Sequence, residues 1–259
     1  MISIQIINYK SKKYLSECLR GLFIDLSGVD FKYEINILEN SSGENLDDLK
    51  KKYPKINLFE AKINLGFGQG HNWLASLSKS EYLLLLNPDI EFVESATIKR
   101  LLNIIMNNKR IGVIGPKLIT NQGKPQAYDH AELNLFGEIL FYLTGLEYWT
   151  NKNNPSNVRW VSGAVFLIRR ELFKKLNGFD KDYFLYGEEV DLCLRTRKLG
   201  INIQYEPSII VKHYGSVSGG RKQFLSNSIQ TYLHKHLPTN LFAKWLNLLL
   251  FKVGTKFLK

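Results

Sequence analysis

The sequence predicts an α/β fold, with a mostly parallel central sheet flanked by helices and a helical C-terminal tail. Three observations carry this expectation. Short β-branched runs alternate with helix-like runs over the first third of the chain, the pattern that builds parallel sheets covered on both faces. The run Tyr82–Leu86 is apolar almost throughout, as in a strand buried from both sides. Of the 259 residues, 44% are hydrophobic, enough to bury one large core and too many for a disordered chain.

In chain order, Ile2–Ile7 is a short β-branched strand. Tyr14, Leu15, Cys18, Leu19, Leu22 and Phe23 then fall on one face of a helix. A strand near Tyr33–Leu38, a short helix near Leu46–Lys52 and a strand near Ile56–Phe59 follow. Next come a helix near Gly70–Leu77 and the strand Tyr82–Leu86. The pattern loosens after about Thr120, and Asn121–Asn157 mixes Gly, Asn, Pro and aromatics without a period, which reads as loops and short elements. Trp160–Ile168 reads as a strand, and Arg170–Leu176 as a helix that Gly178 stops. Glu188–Leu199 reads as a helix with acidic residues at its start, basic residues at its end and Gly200 just beyond. The strand-like run Ile209–Val211 leads to His213.

The expected division is one domain over residues 1–220 and a helical segment over 221–259. In the latter, Leu241, Trp245, Leu249 and Val253 share one helical side, and Lys244, Lys252 and Lys256 lie among them. That composition fits an amphipathic helix lying on a membrane surface; the alternative is a terminal helix packed on the domain.

The net charge of +11 favours an anionic partner: nucleic acid, an anionic membrane surface or a phosphorylated substrate. No recognition module or basic stripe with aromatic platforms accompanies the charge, so no nucleic-acid partner is expected. Cys18 and Cys193 both fall in helical runs, which argues against a disulfide framework or a cysteine zinc site and fits a reducing compartment. The chain opens on a strand, without a basic segment and long apolar stretch, so no signal peptide is read. No run approaches the ~18 apolar residues of a membrane span. A cytoplasmic location is expected, peripheral at the inner membrane face if the tail binds lipid.

Four segments carry chemistry. Asn87-Pro88-Asp89 follows the buried strand. Pro88 cannot extend that strand, and ligands of open α/β sheets bind at the carboxyl ends of strands. A carboxylate fixed there either holds a hard divalent cation bridging two phosphates or is a solvated turn residue. Tyr183–Leu192 places Glu188, Glu189 and Asp191 around a helix start, where acids stabilise the N-terminus. The preceding loop is apolar, however, and a carboxyl beside it gains a raised pKa suited to a general base. Asn64–Asn72 spaces Gly66, Gly68 and Gly70 alternately, which suggests a backbone that approaches a ligand or another chain closely. The spacing is not that of dinucleotide folds, and no P-loop pattern appears. His213, at a strand end, either binds metal or phosphate or is structural.

Taken together, these segments resemble the family-two inverting glycosyltransferases, in particular the bacterial rhamnosyltransferase-like branch. The resemblance spans roughly Ile2–Ser218, and the motifs come in the family's order. Asn8-Tyr9 ends the first strand, Glu39-Asn40-Ser41-Ser42 follows the second, and the Asn64–Asn72 glycine segment comes third. Asn87-Pro88-Asp89 is the counterpart of the DXD motif, and Ser162-Gly163-Ala164 is expected on a strand. Gly178-Phe179-Asp180 leads to Phe184–Leu192 and Arg195, and His213 precedes Gly215 and Ser216.

The resemblance implies a GT-A type nucleotide-sugar-binding fold and a metal-dependent transfer. Asn8 and Glu39 would line the nucleoside pocket, and Asn64, Gly66, Asn72 and Asn87 the donor pocket. Asp89 would bind Mn²⁺ or Mg²⁺ on the diphosphate, with His213 completing the metal site or touching the phosphates. Glu189 would be the catalytic base, with Glu188 as its alternative. Asp191, with Arg195, would hold the helix that presents it. The implied donor is a dTDP- or UDP-sugar, dTDP-rhamnose first, and the acceptor a growing bacterial surface glycan on a lipid carrier. The family usually carries aspartate where Glu39 and Glu189 stand, and each glutamate reaches one methylene further. Two other readings remain distinct from this one. A non-catalytic GT-A protein would bind nucleotide or glycan without turnover. A sugar nucleotidyltransferase would want a glycine-rich basic loop where this chain reads Asn8-Tyr9-Lys10-Ser11.

Overall fold

A computed structural model describes residues 1–134, 137, 148–215 and 221–236. The tail stretch 241–258 and Ser216 lie outside the described residues, as does part of the irregular stretch 121–157. The chain runs β1 (Ile2–Asn8), α1 (Lys12–Asp25), β2 (Tyr33–Glu39), α2 (Asp47–Lys52), β3 (Ile56–Glu60), α3 (Gly66–Leu77), β4 (Tyr82–Leu86) and β5 (Ile90–Phe92). It continues through α4 (Thr97–Asn107), β6 (Ile111–Ile119), β7 (His130–Ala131), β8 (Ser156–Asn157), β9 (Trp160–Val161) and β10 (Val165–Arg169). Then follow α5 (Arg170–Lys175), α6 (Glu188–Lys198), β11 (Asn202–His213) and α7 (Arg221–His236).

The main sheet has the order β3-β2-β1-β4-β10-β6-β11-β5, with β8 paired to β11. Pairing is parallel from β3 through β4 and between β6 and β11, and antiparallel at β10, β5 and β8. The sheet is therefore mixed and mostly parallel, as expected. Leucines of β4 alternate between two cores. Leu84 and Leu86 pack with Leu15, Leu19 and Leu22 of α1 and Leu101 of α4. Leu83 and Leu85 pack on the other face with Phe173, Phe179 and Leu192. Burial on both faces is what an uninterrupted apolar strand requires.

The structure corrects several boundaries. Helix α3 begins at Gly66, a turn before the expected Gly70, so the three alternate glycines lie inside it. The run 160–168 is not one strand: β9 and β10 are separated by a turn, and Ser162-Gly163-Ala164 occupies that turn rather than a strand. The stretch ending at His213 is a strand of 12 residues. Both cysteines are buried free thiols in helices. Burial and the nearby Asp89 push the Cys18 thiol up to about 12, which makes it inert. Among the described residues, no helix is long and apolar enough to cross a membrane.

Candidate active site

The chain leaves β1 outward to β2 and β3, then returns to pair β4 on the opposite side of β1. This reversal opens a crevice at the carboxyl ends of the strands, where open α/β sheets take ligands. A cleft of about 610 Å³ lies there, lined among others by Tyr9, Lys10, Asn87, Asp89, Glu189 and His213. That is the size of a small-molecule site.

Asp89 and His213 meet because β5 pairs with β11, setting Ile90 opposite His213. The Gly215 backbone N–H donates to Asp89 Oδ2 at 2.9 Å, and His213 Nε2 stands 3.4 Å from Asp89 Oδ1. Burial acts to raise the Asp89 pKa, but His213 and the Gly215 N–H outweigh it and hold the carboxyl below its ordinary value. On its other side, His213 Nδ1 faces Gln126 Oε1 at 3.0 Å. Its Nε2 also lies 3.3 Å from the Asn87 side-chain amide. Nε2 and Asp89 Oδ1 thus face each other across a gap that suits a shared proton or a cation. An oxygen and an imidazole nitrogen form a donor set that Mn²⁺ accepts, with Gln126 orienting the imidazole from behind. Among the described residues no three His, Cys, Asp or Glu side chains gather as a metal cluster. A cation here would take its remaining ligands from water or from substrate phosphates.

The second half of the site is the start of α6. Glu188 is almost fully buried, Glu189 is partly exposed, and both line the cleft. One oxygen of each carboxyl, Oε2, is buried without a hydrogen-bond partner. Burial and the adjacent Glu189 raise the Glu188 pKa well above the ordinary value. Burial also raises that of Glu189, against backbone hydrogen bonds from Gly187 and Gly163 that favour its charged form. Gly163 belongs to the turn whose Ala164 carbonyl accepts the Asn87 N–H at 2.9 Å. The turn therefore stands between Glu189 and the Asp89 segment, placing a raised-pKa carboxyl beside a potential cation site.

The glycine segment builds this half. The Phe67 N–H donates to the Phe184 carbonyl at 3.0 Å. Gly66 sits at φ +74°, and a Cβ there would clash with that same carbonyl oxygen. Gly68 lies against Phe179, with Glu188 Cβ 3.6 Å from where its own Cβ would be. Gly66 and Gly68 thus approach the segment that leads to the glutamates, while Gly70 lies against Ile7 and Leu38 of β1 and β2. Asn64 also lines the cleft, and its Oδ1 accepts from the Asn40 amide at 2.9 Å and from the Gly66 N–H at 2.9 Å.

Four residues implied as site members do not line the cleft. Asn8 is buried, donates to Glu44 Oε2 at 2.9 Å and accepts from the Ser11 hydroxyl at 3.0 Å, so its amide braces the loop after β1. Glu39 accepts the Ser42 N–H at 2.8 Å and the Ser42 hydroxyl, closing the loop after β2. Asn72 clasps the Phe179 backbone, donating to its carbonyl and accepting its N–H, each at 2.8 Å. Asp191 is buried and bonded to Arg195 at 2.7 Å and to His236 Nε2 at 2.7 Å. It anchors α6, the part given to it with Arg195, and does not line the cleft. Conversely, sequence reasoning missed Gln126, Tyr128, Trp160 and Phe224, which line the cleft. The first two lie in the stretch without periodicity, and no motif marks Phe224.

Sheet order, switch-point cleft and strand-end aspartate define the GT-A class of glycosyltransferase folds. Solved structures that share this fold include two glycosyltransferases. GalNAc-T7 with UDP, GalNAc and Mn²⁺ matches with a TM-score of 0.66 at 18% identity, over 90% of this chain and 47% of that one. The mannosyltransferase PcManGT from Pyrobaculum calidifontis, in complex with GDP-Man and Mn²⁺, matches with a TM-score of 0.62 at 11% identity, over 98% and 75%. The chain belongs to glycosyl transferase family 2, whose model matches residues 3–177. A second model, the N-terminal domain of galactosyltransferase, matches residues 149–217.

Curated relatives narrow the neighbourhood. Rhamnosyltransferase WbbL of Escherichia coli is 24% identical over 248 residues, 90% of each chain. The N-acetylglucosaminyl-diphospho-decaprenol L-rhamnosyltransferase of Mycobacterium tuberculosis is 31% identical over 195 residues, 66% of this chain and 62% of that protein. The low-salt glycan biosynthesis hexosyltransferase Agl10 of Haloferax volcanii is 28% identical over 254 residues, 94% and 77%. These relatives support glycosyl transfer in polysaccharide biosynthesis.

Proposed function

We propose that this chain is an inverting hexosyltransferase, moving rhamnose or a similar hexose from a dTDP- or UDP-sugar to a surface-polysaccharide acceptor carried on a lipid. The observation that carries this reading is the pairing of two unlike halves in one cleft. Asp89 and His213 sit on one side, and the raised-pKa Glu189 lies beyond the 162–164 turn on the other. Asp89 and His213 would hold Mn²⁺ or Mg²⁺. That cation would neutralise the charge developing on the leaving diphosphate. The acceptor hydroxyl forms a bond to the anomeric carbon as the bond to the diphosphate oxygen breaks, and the hydroxyl proton passes to Glu189. One displacement inverts the anomeric configuration, and its single carboxylate base differs from the carboxyl pair of glycoside hydrolysis. Beside it, burial and the neighbouring Glu189 raise the pKa of Glu188 well above its ordinary value.

The test is calorimetry of dTDP-, UDP- and GDP-sugars with and without Mn²⁺, together with turnover, on three proteins. The wild type should bind one nucleotide class in a cation-dependent way. Asp89→Asn should lose that dependence. Glu189→Gln should bind donor normally and transfer at least ~100-fold more slowly. Turnover retained in Glu189→Gln refutes the base. Donor binding by the wild type without turnover on any acceptor favours the non-catalytic alternative. The charge of +11 and the apolar, lysine-bearing composition of the tail support work at an anionic membrane face. Removing residues 241–259 should abolish co-sedimentation with anionic vesicles; unchanged sedimentation refutes that part.

A further inference from the structure

We infer that Phe184 and Phe224 form an aromatic shelf that binds the sugar ring of the acceptor, so that helix α7 is part of the active site. The inference rests on the transferase reading above. Phe184 is 41% exposed, an unusual state for a large apolar side chain in a concave site. Its backbone is fixed, because its carbonyl takes the Phe67 N–H. The Phe224 ring lies 5.2 Å from the Phe184 ring at an interplanar angle of 30°, and both rings line the cleft. Two rings in contact, tilted 30° to each other, make a continuous apolar patch in the cleft.

Helix α7 is held to the glutamate-bearing segment by polar contacts along its length. The Ser228 hydroxyl donates to the Leu185 carbonyl at 2.9 Å. Lys235 Nζ lies 2.5 Å from Asp180 and 2.7 Å from Asp182. His236 Nε2 lies 2.7 Å from Asp191 of α6. A helix tied to α6 and to the loop before it carries Phe224 in fixed relation to Glu189.

The position of the shelf decides its occupant. Phe184 stands five residues before Glu189, in the loop that leads into α6, and both line the cleft. A hydroxyl that gives its proton to Glu189 must come within about 2.6–3.2 Å of it. The ring bearing that hydroxyl is then the group brought over the neighbouring aromatics. Phenylalanine offers no hydrogen bond, so it recognises the C–H face of a pyranose and leaves the hydroxyl pattern to polar groups. A lipid chain, separated from the reacting hydroxyl by its sugar and phosphates, would lie further out.

The test measures acceptor KM, kcat and donor Kd for the full chain and for Phe224→Ala, Phe224→Trp and Phe184→Ala. Methyl and octyl glycosides of N-acetylglucosamine, glucose and galactose serve as acceptors. Both alanine variants should raise the KM of methyl and octyl glycosides alike, by about five- to tenfold. Donor Kd should hold within about twofold, and Phe224→Trp should restore KM. An unchanged KM overturns the shelf. So does a parallel loss of donor affinity, which would make α7 merely structural, and so does a loss confined to octyl glycosides, which would make the surface a lipid rest. If the wild type shows neither donor binding nor transfer, the transferase reading itself has failed. Saturation-transfer NMR of the methyl glycosides then still reports on the shelf, and no difference between wild type and Phe224→Ala overturns it.

Discussion

Substitution Gly66→Ala strikes the joint between the glycine segment and the glutamate loop. Gly66 sits at φ +74°, and its added Cβ would meet three atoms of Phe184: the carbonyl oxygen in a direct clash, Cδ2 at 3.0 Å and the carbonyl carbon at 3.1 Å. Three costs follow. Holding alanine in the left-handed region costs about 1–2 kcal/mol. Pushing Phe184 away weakens the Phe67 N–H bond to its carbonyl, about 1 kcal/mol. Repacking a full site around the methyl costs about 1–3 kcal/mol. The sum is about 3–6 kcal/mol, a fall in Tm of roughly 6–12 °C for a chain of this size. Gly123 is the control. It has φ +75° and nothing within 4 Å of the added Cβ, so Gly123→Ala should lose only the backbone share, about 1–2 kcal/mol. Urea denaturation of both variants measures the difference. In turnover assays, Gly66→Ala should also lose activity, since displacing a catalytic group by about 1 Å costs on the order of 100-fold. If Gly66→Ala comes within about 1 kcal/mol of Gly123→Ala, the joint does not hold the loop, and the account of the glycine segment is wrong.

Two further outcomes follow from the same geometry. The Glu188 pKa is raised in the folded chain, so the folded state holds its proton more tightly than the unfolded state does. The stability this confers is present at low pH and lost as pH rises from the ordinary glutamate value through the raised one. Glu188→Gln should therefore flatten the decline of Tm across that rise, and parallel Tm–pH curves for variant and wild type would refute the assignment. Asn72→Ala strands the Phe179 N–H and carbonyl that the amide now satisfies at 2.8 Å each. It should cost about 2–4 kcal/mol by denaturant titration, and a loss below about 1 kcal/mol would show that water or a shifted backbone replaces the clasp.

Local rules made much of the molecule legible. Apolar β4 and the amphipathic face of α1 read directly, since burial on one or two faces writes itself into residue spacing. The start and stop of α6 read from its charges and from Gly200, because terminal preferences are local. Helix α4 is not among the elements that the sequence predicts. It has no side-chain cap of its own, and its first N–H groups are taken by Asp25 at the end of α1, with Thr97 N–H at 2.7 Å and Ile98 N–H at 3.0 Å. A cap supplied from 72 positions away leaves no mark beside the helix it caps.

The sequence by itself determined the α/β class, the order of the motifs and the presence of a carboxyl pair at a helix start. Only the tertiary structure decided what each polar side chain does. The hydrogen bonds of Asn8, Glu39, Asn72 and Asp191 go to loops and to α6. Asp89 meets His213 across 124 positions only through the β5–β11 pairing, and Phe224 reaches the cleft from a helix that no motif marks. Spacing encodes which backbone forms and which face is buried. Whether a buried polar group points at a ligand or at its own chain depends on which partners the fold brings within about 3 Å, and those come from anywhere in the sequence.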